Sequence, residues 1–399
     1  MGANDRLPLR SVLIVDPLVE VVDIAPDDAE LRVARRQRVL AEMDARDIDI
    51  LVVGREANAR YISGAPRLWT AGSRAFGPGC VLVRSSGVVH LLSTWDEGIP
   101  EEIPRENLYG ISFNASSFLQ ALRRVEGAET ARTVATDGLT PSAAGLLSKA
   151  FPAAELVDGE ALLGTVRSIK APEEVDAIRA AVRVAEHALA EAESALVPDV
   201  TERQLTGVFM EAMAASGVTT PAAQDVAWIT SRDDPWRRVT RDAPAVPGDL
   251  VAFDAGVIRG GYVGELGRTW AVGTGTDGDI DPALSRQWCD LWDRLIEGCR
   301  PGASAAGLLD AYGAMRIPPP PFPVARGLGL GFDLPLVTHA MPGAAAAQHL
   351  APGMVLALTA YVWKEGVGAV YGQEPVLITP SGPELLSTTP FSKLGAPLP

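Results

Sequence analysis

Between residues 250 and 273 the chain reads LVAFDAGVIRGGYVGELGRTWAVG, two apolar runs with a glycine-containing break. Val251, Phe253 and Ala255 alternate with less apolar positions, the period of a strand. Arg259 and Gly260 read as a two-residue loop, so the segment is predicted to be a β-hairpin. With that loop Ile258 pairs with Gly261, and Asp254 stands directly opposite Glu265, their Cβ atoms ~5 Å apart. Carboxylates so placed repel each other and call for a positive charge between them, either a metal or a basic side chain.

The same patterning organises the rest of the chain. Leu31, Val33, Val39, Leu40 and Met43 share one helical face over 27–47, and 48–54 follows as a buried strand. Residues 57–69 read as a loop, 80–93 as a hairpin, 115–127 and 141–150 as helices and 133–136 as a strand. This is an α/β alternation that ends near residue 165. Pro172 with Glu173 and Glu174 then opens a helix whose apolar period runs through Val175, Ile178, Val182, Ala185 and Leu189. Another helix starts at Thr201, and others are predicted at 284–298 and 304–314 before the stiff Pro-rich stretch 317–323. The remainder, ARGLGLGFDLPLV, PGMVLALTAYVW and YGQEPVLIT, is strand material. Two domains are expected, 1–165 and 166–399, with fold class α+β/α/β.

Composition narrows the function. A chain of 399 residues, 47% apolar, has ample core material. Its formal charge of −15 speaks against nucleic-acid and anionic-membrane partners and for a cytoplasmic protein. Cys80, Cys289 and Cys299 are too scattered for a disulfide framework or a metal knuckle. Nothing at the N-terminus reads as a signal peptide, and no apolar stretch approaches a membrane span.

Taken in order, YISG at 61–64, SIKAPEEV, Pro247-Gly248-Asp249 before FDAG, GGYVGELGRTWAVG, GLGLG, PGMVLALT and EPVLIT resemble the creatinase, aminopeptidase P and methionine aminopeptidase superfamily. LWTAGSRAF and TTPFSKL are most similar to its dimethylsulfoniopropionate-lyase branch. The resemblance implies an N-terminal creatinase-like domain, a C-terminal pita-bread domain and a homodimer. It also implies metal held by two Asp, one His and two Glu. Carried over one position at a time, those ligands fall on Asp254, Glu265, Arg326, Thr359 and Gln373, with Glu374 beside the last. A second family His falls on Asp333, and the upstream His has no counterpart where Trp236, Arg237 and Arg238 stand. Arginine has no lone pair to give, and Thr and Gln are poor ligands for Zn, Fe or Mn.

The expectation is therefore a site without metal or cofactor, with Asp254, Glu265 and Arg326 catalytic and Arg326 neutralising both acids. Trp236, Arg237, Asp333, His339, Thr359, Tyr361, Gln373 and Glu374 are candidate substrate contacts, and Tyr61 and Trp69 a wall contributed by the partner subunit. Arg268 is expected to brace the hairpin. The expected function is a metal-independent, creatinase-like enzyme acting on a small, amino-acid-like substrate by C–N hydrolysis or elimination. The alternatives are a non-catalytic ligand-binding protein on the same fold, and a metal-dependent Xaa-Pro peptidase or dimethylsulfoniopropionate-type lyase.

Overall fold

The computed structural model describes residues 29–389 apart from 66–78, 93–97, 110–114, 224–225, 239–242 and 274–279. It contains two sheets. The first is built from β1 (Ile50–Val53), β2 (Cys80–Val83), β3 (Val89–Leu92), β4 (Leu108–Tyr109), β5 (Thr133–Thr136) and β6 (Glu155–Asp158). Their order is β4-β3-β2-β1-β5-β6, with β1, β5 and β6 parallel. Residues 57–69, predicted to be a loop, instead open with the helix Glu56–Ser63. Gly64 in the left-handed conformation stops that helix by returning its N–H to the Arg60 carbonyl.

The second sheet carries β7 (Ala227–Ile229), β8 (Leu250–Arg259), β9 (Tyr262–Ala271), β10 (Ala325–Gly329), β11 (Gly331–Val337), β12 (Val355–Lys364), β13 (Gly368–Thr379) and β14 (Gly382–Leu385). The order is β11-β10-β12-β13-β9-β8-β7, with β14 on β13. One face of this sheet is covered by helices. Val251, Phe253, Ala255 and Val257 of β8 pack with Leu266 against the helices Pro172–Ser194 and Glu202–Ala215. Leu356, Leu358 and Val362 of β12 meet Trp288, Trp292 and Leu295 of the helix Pro282–Gly298. Side chains alternate along a strand, so the intervening residues of β8, β9, β10, β12 and β13 are turned to the other face. That face carries the site.

The central hairpin exists, but its loop is Gly260–Gly261, not Arg259–Gly260. Both loop residues have positive φ, 57° and 88°, the requirement of the tight turn that suits strand twist. Gly-Gly meets that requirement at no steric cost, whereas Arg259 in the first position would be strained. Arg259 therefore closes the ladder opposite Tyr262, Asp254 pairs with Gly267, and Glu265 pairs with Gly256. The two acids are diagonal neighbours on one face rather than direct partners. The expected facing pair is corrected by that shift.

The sheets are joined by polar contacts as well as by a shared core. Tyr262 next to the hairpin loop donates to Glu174 at 3.1 Å and accepts from Arg35 at 2.8 Å. Asp333 on β11 is buried between Arg167 (2.6 Å) and Lys170 (2.9 Å), and Arg167 also donates to Asn58 of the first unit at 2.6 Å.

Candidate functional site

The strand register assembles the site. Asp254 on β8, Gly267 on β9, Gln373 on β13 and Thr359 on β12 form one continuous row across four strands. Glu265 stands two residues from Gly267, and Arg326 pairs with Ala357, two residues from Thr359, so both share the row's face. Gly267 at the centre leaves space for Tyr371 and Gln373, because a Cβ there would overlap the Tyr371 ring. The row lines a cavity of about 280 Å³ together with Arg238 and Phe322. That volume lies at the small end of ligand sites.

Each acid has its own guanidinium. Arg326 Nη2 bonds Glu265 Oε1, and Arg238 Nη2 bonds Asp254 Oδ2. Asp254 and Glu265 are 4% and 1% exposed, so each depends on a close cation to hold its charge. The expectation that Arg326 serves both acids is corrected on this point. Arg238 is the group that completes the balance, and it sits in a cradle of aromatic faces. Its Cζ lies 4.7 Å from the Trp228 ring centre, 5.2 Å from Tyr371 and 5.5 Å from Phe322. Such faces attract a cation electrostatically.

Gln373 is oriented by its neighbours. The Thr359 hydroxyl donates to Gln373 Oε1 at 2.9 Å and the Tyr371 phenol donates to the same oxygen at 3.1 Å. Burial pushes the Tyr371 phenol up to about 12, which keeps it protonated as a donor at neutral pH. With Oε1 thus engaged, Gln373 Nε2 is buried without a partner, as are Asp254 Oδ1 and Glu265 Oε2.

Of the residues expected at the site, Asp254, Glu265, Arg326, Thr359 and Gln373 line the cavity. Glu374 follows Gln373 on β13 and so points to the opposite face. There it accepts from Arg268 at 2.6 Å and from Ser387, and burial raises its pKa against the pull of Arg268. Asp333 is held in its ion pairs with Arg167 and Lys170. His339 Nδ1 is engaged with the Pro320 carbonyl at 2.8 Å, and Arg237 donates to the Ile229 carbonyl at 3.1 Å. Tyr361 bonds the Pro235 carbonyl and packs against Trp236 and Phe322, a layer behind the cavity wall. Tyr61 is buried and accepts from Arg38 at 3.3 Å. Trp69, with the LWTAGSRAF stretch, lies outside the described residues. Sequence reasoning missed Arg238 and its aromatic cradle. The one signal available was its position in SRDDPWRRV, where the family His is absent.

Residues 176–380 match the profile of metallopeptidase family M24, and residues 35–169 match the creatinase/prolidase N-terminal domain. The chain belongs to metallopeptidase family M24. Among its relatives is the Xaa-Pro dipeptidase of Pyrococcus horikoshii, 23% identical over 88% of this chain and 96% of that protein. A putative dipeptidase of Bacillus subtilis is 24% identical over 64% of this chain and 70% of that protein. Among solved structures, the prolidase of Pyrococcus horikoshii covers 90% of this chain and 99% of its own at a TM-score of 0.74 and 19% identity. The Xaa-Pro dipeptidase of Bacillus anthracis covers 90% and 98% at a TM-score of 0.72 and 16% identity. These likenesses give the two-part architecture of a creatinase-like N-terminal unit and a pita-bread C-terminal unit.

The family is one of metallopeptidases, the resemblance implies metal at this hairpin, and the donor set here does not fit one. Two of the five ligand positions are the neutral Thr359 and Gln373, a third is Arg326, and the two acids are bonded to guanidiniums. Among the described residues no three His, Cys, Asp or Glu side chains come together as a metal cluster. The relatives, for their part, correct the expected chemistry. They are hydrolases named for dipeptides and for Xaa-Pro bonds, so the expectation of a metal-independent creatinase-like hydrolase or lyase gives way to the peptidase alternative. No helix among the described residues is long and apolar enough to cross a membrane.

Proposed function

We propose that this M24 cavity receives a short peptide of the dipeptide class, as the peptidase alternative requires. The observation that carries the proposal is the row Asp254, Gln373 and Thr359, flanked by Glu265, Arg238 and Arg326. It places charged and amide side chains on one cavity wall of a chain aligned almost end to end with a dipeptidase. A peptide offers an amine, amide carbonyls and a carboxylate, and each has a complementary group on that wall. The residues' part is to hold and orient these groups; both hairpin carboxylates are committed to guanidiniums, which weakens either as a base.

A second reading, hydrolysis of Xaa-Pro dipeptides, is favoured by the match to the Pyrococcus horikoshii dipeptidase along nearly its whole length. One experiment separates the two. Calorimetric titration with L-alanyl-L-proline and related dipeptides is expected to show saturable binding at one site per chain. Incubation of the same dipeptides with the protein and Mn(II), followed by assay of free proline, shows whether binding leads to hydrolysis. Absence of binding by every dipeptide contradicts the proposal, and stoichiometric turnover with Mn(II) establishes the second reading. The homodimer belongs to the same proposal, and light scattering is expected to give twice the chain mass.

A further inference from the structure

The strand beside Arg326 is held from outside its own sheet. β11 is an edge strand, and its pairing with β10 slips between Arg326 and Gly327. Arg326 faces Leu336 while Gly327 faces Asp333, so Leu334 and Pro335 are left over as a bulge at the position of Arg326. A bulge bends its strand and re-aims the side chains next to it. Glycine makes room for the crossing, because a Cβ on Gly329 would lie 2.2 Å from Asp333 Oδ2. The Asp333 side chain, 3% exposed, ties the bulged strand down.

Both cations on Asp333 come from the junction between the two units. Arg167 belongs to the helix Glu160–Ser168. Its Nη2 bonds Asp333 Oδ1 at 2.6 Å and the Leu330 carbonyl at 3.2 Å, so one guanidinium grips the turn between β10 and β11 together with the return strand. Lys170 Nζ donates to the other Asp333 oxygen at 2.9 Å. Behind Arg167 the hydrogen bonds continue into the first sheet. Its Nη1 donates to Asn58 Oδ1 at 2.6 Å, and Asn58 Nδ2 donates to Asp137 Oδ2 at 2.9 Å. Asp137 in turn accepts the Gly54 and Arg55 N–H groups just beyond β1. Arg167, Asn58, Asp137 and Lys170 are all buried, so removing one link strands a charge. We propose that Asp333 is a positioning residue for the cavity. Held by Arg167 and Lys170, it sets the bulge and thereby aims Arg326 at Glu265, so the first unit governs the charge pattern of a site on the second sheet. This inference concerns the chain's own side chains and does not rest on the dipeptide reading.

The test reads the reactivity of individual arginines. 2,3-Butanedione in borate modifies guanidinium groups, and peptide mass spectrometry follows the rate at each one in the full chain. Arg167→Met leaves Asp333 and Arg326 in place and removes only the grip. Arg326 is then expected to react at least about fivefold faster than in the wild type, as a weakened charge-assisted hydrogen bond allows, while Arg238 stays within about twofold. Arg167→Lys keeps a cation for Asp333 and is expected to restore most of the protection. An unchanged rate at Arg326 in Arg167→Met overturns the proposal. A matching rise at Arg238 overturns it as well, because that marks general loosening. If Arg167→Lys leaves Arg326 as reactive as Arg167→Met does, the ion pair with Asp333 is not the cause and the proposal falls. Should Arg167→Met fail to fold, Asn58→Ala removes the far anchor alone. Arg326 is then expected to gain reactivity ahead of Arg238, and an equal change at both overturns the proposal.

Discussion

Arg326→Leu is expected to lower stability at neutral pH by ~3 kcal/mol or more, because it strands a buried Glu265 carboxylate whose cation is gone. The compensating change is specific. Glu265→Gln in the same background is expected to recover part of the loss, since the unpaired charge is removed. Asp254→Asn is expected to recover none of it, because Asp254 is paired with Arg238 instead. Urea denaturation of the wild type, the single mutant and the two double mutants measures all three. A change below about 0.5 kcal/mol for Arg326→Leu, the range of an ordinary surface substitution, contradicts the ion pair. Equal rescue by both acid substitutions contradicts the division of one guanidinium per acid.

Gly264→Ala is expected to be at least as damaging, for a steric reason. Gly264 lies on β9 where the hairpin crosses the helix Pro172–Ser194, and a Cβ there would overlap the backbone of Ala181 and Val182. Neither a strand paired on both sides nor the interior of a long helix can move without breaking hydrogen bonds. Overpacking of this kind costs about 1–3 kcal/mol where side chains can yield and more where only backbone can. A loss of ~3 kcal/mol or more, or failure to fold, is expected by thermal unfolding. Gly207→Ala is the matched control. Gly207 sits in the helix Glu202–Ala215 with nothing near its would-be Cβ, so the same chemical change is expected to stabilise by roughly 0.5–1 kcal/mol. A tolerated Gly264→Ala contradicts the close crossing that holds the hairpin in place.

Periodicity made much of this architecture legible. The helix opened by Pro172 and the strand pair around Asp254 follow from 3.6- and 2-residue patterns and from proline and glycine at their ends. The hairpin's register did not follow, because Arg259-Gly260-Gly261 offers two candidate loops and only the sign of φ at both positions chooses between them. That choice moved Glu265 from facing Asp254 to a diagonal place, with room for a guanidinium on each acid. Parity along β13 was legible in principle. Once Gln373 faces the cavity, Glu374 must face Arg268. Arg238 was not legible in the same way. It is brought to Asp254 by a loop whose path no repeat in the sequence encodes, and its cradle draws on Trp228, Phe322 and Tyr371 from separate segments. Residues 57–63 escaped for the simpler reason that an eight-residue helix carries barely two turns of pattern.

The central claim is that the charges of Asp254 and Glu265 are met by Arg238 and Arg326, leaving the hairpin face for an organic ligand. A crystal of the protein grown in millimolar Mn(II), with data collected at the manganese absorption edge, tests it most directly. The expected map has no anomalous peak between the two carboxylates and continuous density from Arg326 to Glu265 and from Arg238 to Asp254. A strong peak bonded to both acids, with either guanidinium turned away, would contradict it.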